Sequence, residues 1–232
     1  MKKLTPIKTF AVIDCATDEP SIACYNRLLE LGIPCSYHSA NEFGTSTLKN
    51  LDLFYGGFIF GSMSHVHEDL PWHHELADWA KKALNKNFPL LGICFGHQLM
   101  CHHFGADVVL NQDKNPEQKG TRTVHFSKEF GEIKKGETRE FAVSHSYRVE
   151  KLPESLEEIG YSILYRNDVV RHKTLPFVGL QPHPEASDHF IESDFSQNPP
   201  PRENAERTKV EGINFMMNFI QEYCKESFEK RN

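Results

Sequence analysis

Short apolar runs alternate with amphipathic helical segments through the first half of the chain. Phe10 to Ile13 and Pro89 to Ile93 are runs of the kind that form strands buried on both faces of a sheet. Ser21 to Leu31 and Trp72 to Leu84 carry apolar residues at helical spacing, which predicts amphipathic helices. Strands that alternate with helices favour a mostly parallel sheet with helices on both faces. The sequence therefore predicts a three-layer α/β/α fold.

The pattern changes after Gly105, where short strand-like runs follow one another without long helices between them. These runs are Thr121 to Phe126, Glu140 to Val143, Gly160 to Tyr165, Val169 to Lys173 and Phe177 to Leu180. We expect them to extend the sheet as antiparallel strands. A final helix is predicted from about Asn204 to Glu226, after a proline-rich loop. Residues 1–232 contain no repeat or flexible linker, so we expect one domain with this helix packed on it.

Charge and composition exclude several classes of function. The 232 residues carry a net charge of −6, and an acidic chain without a basic run repels nucleic-acid phosphates. No apolar stretch is long enough for a signal peptide or a membrane span. The six cysteines are irregularly spaced and form no C-x-x-C pair, which is typical of reduced thiols. We therefore expect a cytoplasmic protein with neither nucleic acid nor membrane as a partner.

Cys94 lies at a predicted turn between a strand and a helix. The apolar run that ends at Ile93 leads into it, a helical segment follows, and Gly92 and Gly96 flank the cysteine at two residues on either side. This pattern is typical of a nucleophile elbow, in which small neighbours allow a strained backbone. The start of the helix favours a thiolate, and the N–H of Phe95 is available to an oxyanion. The sequence predicts that Cys94 is a catalytic nucleophile.

A cysteine nucleophile needs a base, and the base needs an orienting partner. His183 is flanked by Pro182 and Pro184, which restrict the backbone and so the direction of the imidazole. Glu185 is two residues further on, so in an extended segment both side chains lie on the same side. We interpret His183 as the base and Glu185 as the carboxylate that orients it.

Four histidines surround Asp69 in sequence, and they raise the question of a metal site. They are His65, His67, His73 and His74. The last two are adjacent on a predicted helix and point about 100° apart, so they do not converge on one ion. We expect surface histidines and no metal. The chain also contains no glycine-rich loop that would cradle a phosphate, and no cofactor is predicted.

The segment from Gly92 to Gln98, with His183-Pro-Glu185 further along the chain, resembles the class I, triad-type glutamine amidotransferases. The resemblance covers roughly Thr9 to Glu185. It is similar in detail to the glutaminase domain of GMP synthetase and its stand-alone relatives, because Gly61-Ser62 leads to Asp69-Leu-Pro-Trp72 and Ser144-His145 follows a strand. The resemblance implies a flavodoxin-like sheet and a Cys-His-Glu triad that hydrolyses the side-chain amide of glutamine. Cys94 would form a γ-glutamyl thioester and release ammonia.

The resemblance also implies roles for residues around the nucleophile. The N–H groups of Gly61 and Phe95 would form the oxyanion hole. Gln98, with the backbone around Ser144 and His145, would hold the amino-acid end of the substrate.

Two departures from the family pattern affect the substrate. The family's Gly-Gly-Pro is Gly61-Ser62-Met63 here, a change that a backbone N–H can survive. Its Gly-Asp after Ser-His is Ser146-Tyr147, which leaves open both glutamine and a larger γ-glutamyl compound.

We expect no ATP-using synthetase half, so the chain would either supply ammonia to a separate synthetase subunit or work alone as a γ-glutamyl peptidase. A non-catalytic regulator that binds a small ligand would be expected to have a broken triad. A DJ-1-like thiol protein would not need His183 and Glu185.

Overall fold

The computed structural model describes residues 7–111 and 118–224. Eleven strands and six α-helices occur in these ranges. The strands are β1 (Thr9–Asp14), β2 (Cys35–Ser39), β3 (Phe54–Ile59), β4 (Leu90–Ile93), β5 (Val108–Leu110), β6 (Gln118–Phe126), β7 (Thr138–His145), β8 (Tyr147–Val149), β9 (Leu156–Tyr161), β10 (Val169–His172) and β11 (Phe177–Leu180). The helices are α1 (Ile22–Glu30), α2 (Ala40–Phe43), α3 (Pro71–Leu84), α4 (Phe95–His103), α5 (Asp188–Asp194) and α6 (Arg202–Tyr223).

Nine of the strands form one mixed sheet in the order β2-β1-β3-β4-β11-β10-β9-β6-β7. The pairs from β2 through β4 to β11 are parallel, and the pairs from β11 to β7 are antiparallel. Strands β5 and β8 pair separately as a small antiparallel sheet. The carboxyl ends of β3, β4 and β11 therefore meet at one edge, where ligands bind in sheets of this kind.

Successive side chains of each strand point to opposite faces of the sheet, so the apolar strands of the parallel part are apolar on both faces. Helices cover both of these faces. Phe10 and Val12 of β1 pack in a cluster with α1 and α6. Ala11 and Ile13 of the same strand pack in a second cluster with α2, α3 and α4. This confirms the three-layer α/β/α fold, with antiparallel additions in the second half. No helix within residues 7–111 and 118–224 is long and apolar enough to cross a membrane.

The antiparallel half of the sheet curls back on itself. The N–H of His183, just beyond β11, donates to the carbonyl of Ala142 in β7 at 2.8 Å. These strands stand four places apart in the sheet order. The curl brings the carboxyl end of β7 beside the carboxyl ends of β4 and β11.

Some predicted elements differ from the observed ones. The strand predicted at Gly160 to Tyr165 is wrong in its bounds, because β9 ends at Tyr161. Ile163 and Leu164 are 91% and 64% exposed, so these apolar residues belong to a surface turn and not to the core. Helix α5 and the β5–β8 pair were not predicted. The last residues of the predicted final helix, from Lys225 to Glu226, lie outside the described residues.

Candidate active site

Cys94 occupies the tight turn between β4 and α4. Its backbone has φ 49° and ψ −102°, a region that side-chain-bearing residues rarely adopt. Its N–H donates to the carbonyl of Leu180 in β11 at 2.9 Å, which ties the turn to the neighbouring strand. A Cβ on Gly96 would collide with the backbone of Ile59. The flanking glycine is therefore needed for α4 to start this close to β3.

His183 and Glu185 form a buried pair behind the thiol. The Nδ1 of His183 lies 2.8 Å from Oε1 of Glu185, and the two residues are 6% and 3% exposed. The Nε2 of His183 is buried without a hydrogen-bond partner among the described residues. Burial by itself lowers the pKa of His183, but the charge of Glu185 and the nearby Cys94 sulfur outweigh it and raise that pKa well above its ordinary value.

Two contacts outside the pair hold the segment that carries it. Gly212 of α6 packs against the backbone of Pro184, and a Cβ there would lie 2.8 Å from the Pro184 Cα. The guanidinium of Arg27 donates to the carbonyl of Ala186 at 2.7 Å and to that of Lys209 at 2.6 Å. These bonds join α1, α6 and the segment that carries His183 and Glu185.

The predicted oxyanion donors lie beside this pair. A Cβ on Gly61 would lie 2.9 Å from Cε1 of His183 and 3.6 Å from Cβ of Cys94. Gly61 follows β3, and Phe95 opens α4 directly after Cys94. Neither N–H donates a hydrogen bond within the described part of the chain. Both remain available to a developing negative charge, and their role in an oxyanion hole stays a prediction.

Ser144 also contacts Cys94. Its carbonyl oxygen lies 3.6 Å from the Sγ of Cys94 and accepts a weak S–H hydrogen bond. The next residue, His145, has its Nδ1 2.8 Å from the carbonyl of Tyr147 and its Nε2 2.8 Å from the guanidinium of Arg122. Arg122 can only donate, so His145 accepts at Nε2 and carries its proton at Nδ1. Burial and the charge of Arg122 lower the pKa of His145 well below its ordinary value, which keeps the ring neutral.

Arg122 is the buried centre of this network, and sequence reasoning missed it. Its guanidinium donates to Oδ1 of Asp168 at 2.9 Å, and the two residues are 7% and 1% exposed. The ring of Tyr165 lies 4.6 Å from the guanidinium carbon. Arg122 lies in β6 and Asp168 directly precedes β10, so no local pattern signals their pairing. The network orients His145 and, through it, the Ser144 carbonyl beside Cys94.

Gln98 is engaged in contacts within the protein. Its side-chain amide donates to the carbonyl of Tyr147 at 2.9 Å and to Oε1 of Gln181 at 3.1 Å. Neither Gln98 nor His145 is among the described residues that line the pocket at Cys94, whereas Ser144 is. Substrate binding by Gln98, Ser144 and His145 stays a prediction.

A pocket of about 170 Å³ opens at the thiol. Its walls come from the loop between β1 and α1, the segment 61–63, and α5 with the residues before it. Cys94, His183 and Glu185 all contribute to its lining. Helix α5 was not predicted, although Ser187 accepts from the Phe190 N–H at 3.1 Å as an N-cap and Asp188 follows in the first turn. Ser187 and Asp188 are the sequence signal from which the start of α5 could have been predicted.

The histidines near Asp69 do not converge, and the expectation of surface histidines is wrong for His73, which is 3% exposed. His74 lies 2.7 Å from Asp69, His73 contacts the Ser64 hydroxyl at 2.9 Å, and His65 stacks on Tyr147. Across residues 7–111 and 118–224, no three His, Cys, Asp or Glu side chains are grouped so that they could hold a metal ion.

Solved structures share this fold. A glutamine amidotransferase from Thermotoga maritima is 20% identical and superposes with a TM-score of 0.73 over 93% of this chain and 98% of that one. A protein from Thermoplasma acidophilum, described as one subunit of a GMP synthase, is 22% identical, with a TM-score of 0.72 over 98% of this chain and 99% of that one.

Curated relatives match about half of the chain. A subunit of the glutamine-hydrolyzing GMP synthase of Methanocaldococcus jannaschii is 36% identical over 107 residues, which are 45% of this chain and 55% of that protein. Its counterpart in Archaeoglobus fulgidus is 36% identical over 99 residues, which are 42% and 52%. The chain thus spans about half the length of the curated relatives it matches.

The family model described as "Glutamine amidotransferase class-I" matches residues 12–197, which is most of the chain. The matched region includes the Cys94 turn and the His183–Glu185 pair. The chain belongs to the class I glutamine amidotransferase family.

Proposed function

We propose that the protein hydrolyses the side-chain amide of glutamine through a covalent γ-glutamyl thioester on Cys94. The observation that carries the proposal is the meeting of Cys94 with the buried His183–Glu185 pair in one pocket. A strained thiol, a base and an orienting carboxylate are the parts that nucleophilic acyl transfer requires. Membership of the amidotransferase family supports the same reaction.

In the acylation step, the Cys94 sulfur attacks the side-chain carbonyl carbon of glutamine and its proton passes to His183. The carbonyl oxygen becomes an oxyanion, which the N–H groups of Gly61 and Phe95 stabilise. When the intermediate collapses, the C–N bond breaks and the proton on His183 passes to the leaving ammonia. The charge of Glu185, which raises the pKa of His183, stabilises the imidazolium that exists between the two transfers.

Deacylation repeats these roles with water as the nucleophile. His183 removes a proton from the water, the hydroxyl oxygen attacks the thioester carbonyl, and the C–S bond breaks. Glutamate leaves and Cys94 regains its proton from His183. Glu185 holds the imidazole through Nδ1 in both steps, so Nε2 stays directed at the reacting atoms.

The ammonia released would be used by a separate synthetase subunit. The curated relatives are each described as one subunit of a glutamine-hydrolyzing GMP synthase, a name that implies another subunit in those proteins. A partner of the same kind is proposed for this chain.

A γ-glutamyl peptidase that needs no partner is the second candidate. The departure at Ser146-Tyr147 favours it. A non-catalytic regulator is disfavoured, because Cys94, His183 and Glu185 are all present and line one pocket.

The test is ammonia release from glutamine by the wild type and by Cys94→Ala, with a panel of γ-glutamyl dipeptides run beside it. We expect release from glutamine that is lost in the variant. Unchanged release from Cys94→Ala would refute the mechanism. Turnover of the dipeptides with negligible release from glutamine would select the peptidase.

A further inference from the structure

We infer that the pocket continues, on the His183 side of the thiol, into a subsite for an amine leaving group that carries a second positive charge on an alkyl chain. The inference rests on the proposed Cys94 chemistry and names a substrate class for it: γ-glutamyl amides of diamine-like compounds. It is carried by the position of α5, by the apolar wall of the pocket and by unpaired carboxylates at its mouth.

The position of His183 identifies the leaving-group side. The residue that protonates a leaving amine must lie next to it, so the amine departs on the side of His183. The ring of Phe190 in α5 packs on the imidazole, with ring centroids 4.6 Å apart. The part of the pocket between α5 and the β1–α1 loop is therefore the space into which a leaving group extends.

The pocket has to hold the γ-glutamyl group as well as the leaving group. Its volume is about 170 Å³. At roughly 10–15 Å³ for each water-sized group, that is room for about eleven or more such groups, against the nine non-hydrogen atoms of a γ-glutamyl group. Apolar groups from Phe190, Met63 and Ala23 contribute to its walls. Met63 is a large apolar side chain that is 69% exposed at the site, and a substrate chain would cover it. An alkyl segment fits such walls.

Carboxylates stand at the mouth of the same space. Asp18 and Glu19 line it from the β1–α1 loop, and Asp194 lines it from the end of α5. Glu19 lies 3.5 Å from His189, whereas Asp18 and Asp194 form no ion pair with a described residue. No lysine or arginine of residues 7–111 and 118–224 lines this pocket. A cation at the far end of a leaving group would meet these two carboxylates, and an anion would be repelled.

The experiment compares three γ-glutamyl amides of matched length, made from 1,3-diaminopropane, propylamine and β-alanine. The first leaving group is cationic, the second neutral and the third anionic. kcat/KM is measured for each, and for glutamine, at pH 8. The variants are Asp18→Asn, Asp194→Asn and their double. Glu192→Gln is the matched control, because it removes an exposed carboxylate of α5 that does not line the pocket.

We expect the wild type to prefer the cationic amide over the neutral one by about fivefold, the size of one exposed charge pair, and to turn over the anionic amide least. The cationic-to-neutral ratio should approach one in the double variant and at high salt, and should persist in Glu192→Gln. Equal kcat/KM for the three amides in the wild type, or a ratio that the double variant leaves unchanged, would overturn the subsite while glutamine hydrolysis stands. No turnover of any of the four compounds would overturn the proposed function as well.

Discussion

The backbone N–H of His183 donates to the carbonyl of Ala142 at 2.8 Å, although the strands that lead to these residues stand four places apart in the sheet. This bond closes the curl of the antiparallel half. It places His183 after β11 and Ser144 at the end of β7 around Cys94. The candidate site therefore depends on the shape of the whole sheet and not on the elbow alone.

The contact between Gly212 and Pro184 can be tested with Gly212→Ala. Alanine in a helix is ordinarily favoured over glycine by about 1 kcal/mol. Here its Cβ would meet the backbone of Pro184, so we expect the opposite: destabilisation of about 1–3 kcal/mol, as for overpacking, and reduced activity. Urea unfolding measures the change. Val210→Ala, at an exposed position of the same helix, is the control and should change little. A Gly212→Ala variant more stable than the wild type would contradict the close packing of Gly212 on Pro184.

The buried pair of Arg122 and Asp168 should behave as a coupled unit. Arg122→Met leaves a carboxylate buried without its cation, which we expect to destabilise the fold by about 3–5 kcal/mol. Adding Asp168→Asn removes that charge and should restore about 1 kcal/mol or more. Denaturant unfolding of the two single variants and the double variant gives the interaction free energy between the two side chains. Simple additivity would show that the two side chains do not stabilise each other.

The raised pKa of His183 should depend on Glu185. In Glu185→Gln the carboxylate charge is lost, while burial and the Cys94 sulfur remain, so the pKa of His183 should fall well below its wild-type value. NMR titration of the imidazole measures this. A group whose pKa is raised by folding contributes stability that is present below about pH 6.5 and is lost as the pH rises through the folded pKa. The wild type should therefore lose this stability above neutral pH, and the variant should lose less. The same His183 titration in both proteins would contradict the assignment.

The strain at Cys94 should appear as a difference between two inactive variants. An alanine at φ 49° retains the backbone strain, which costs about 1–3 kcal/mol of stability. A glycine relieves that strain, but its more flexible unfolded chain lowers the stability by about 0.4–1 kcal/mol. Cys94→Gly should therefore be more stable than Cys94→Ala by about 1 kcal/mol. Thermal unfolding of both compares them, and a less stable glycine variant would remove the argument for strain.

Much of the parallel half could be predicted from the sequence, because its strands are short apolar runs with helices between them. The elbow at Cys94 was recognisable for the same reason: its glycines and its strand are local. The antiparallel half was harder, since exposed residues such as Ile163 and Leu164 look like strand residues in a sequence.

Contacts between distant segments could not be predicted. Arg122 meets Asp168 and His145 only because the sheet curls, and no spacing in the chain records that curl. The lining of the pocket by α5 depends on a short helix with one buried residue, Ile191, which gives almost no periodic signal. The three residues proposed to carry the chemistry could therefore be named from the sequence, and those that shape their surroundings could not.

The most direct test of the account is to trap the acyl-enzyme. Wild-type protein is mixed with glutamine, quenched in acid within one turnover and analysed by intact and peptide mass spectrometry. We predict an added mass of one glutamyl group on the peptide that contains Cys94, released by hydroxylamine and absent from Cys94→Ala. Ammonia release from glutamine with no such adduct, or an adduct that persists in Cys94→Ala, would contradict the proposal that Cys94 carries the γ-glutamyl group.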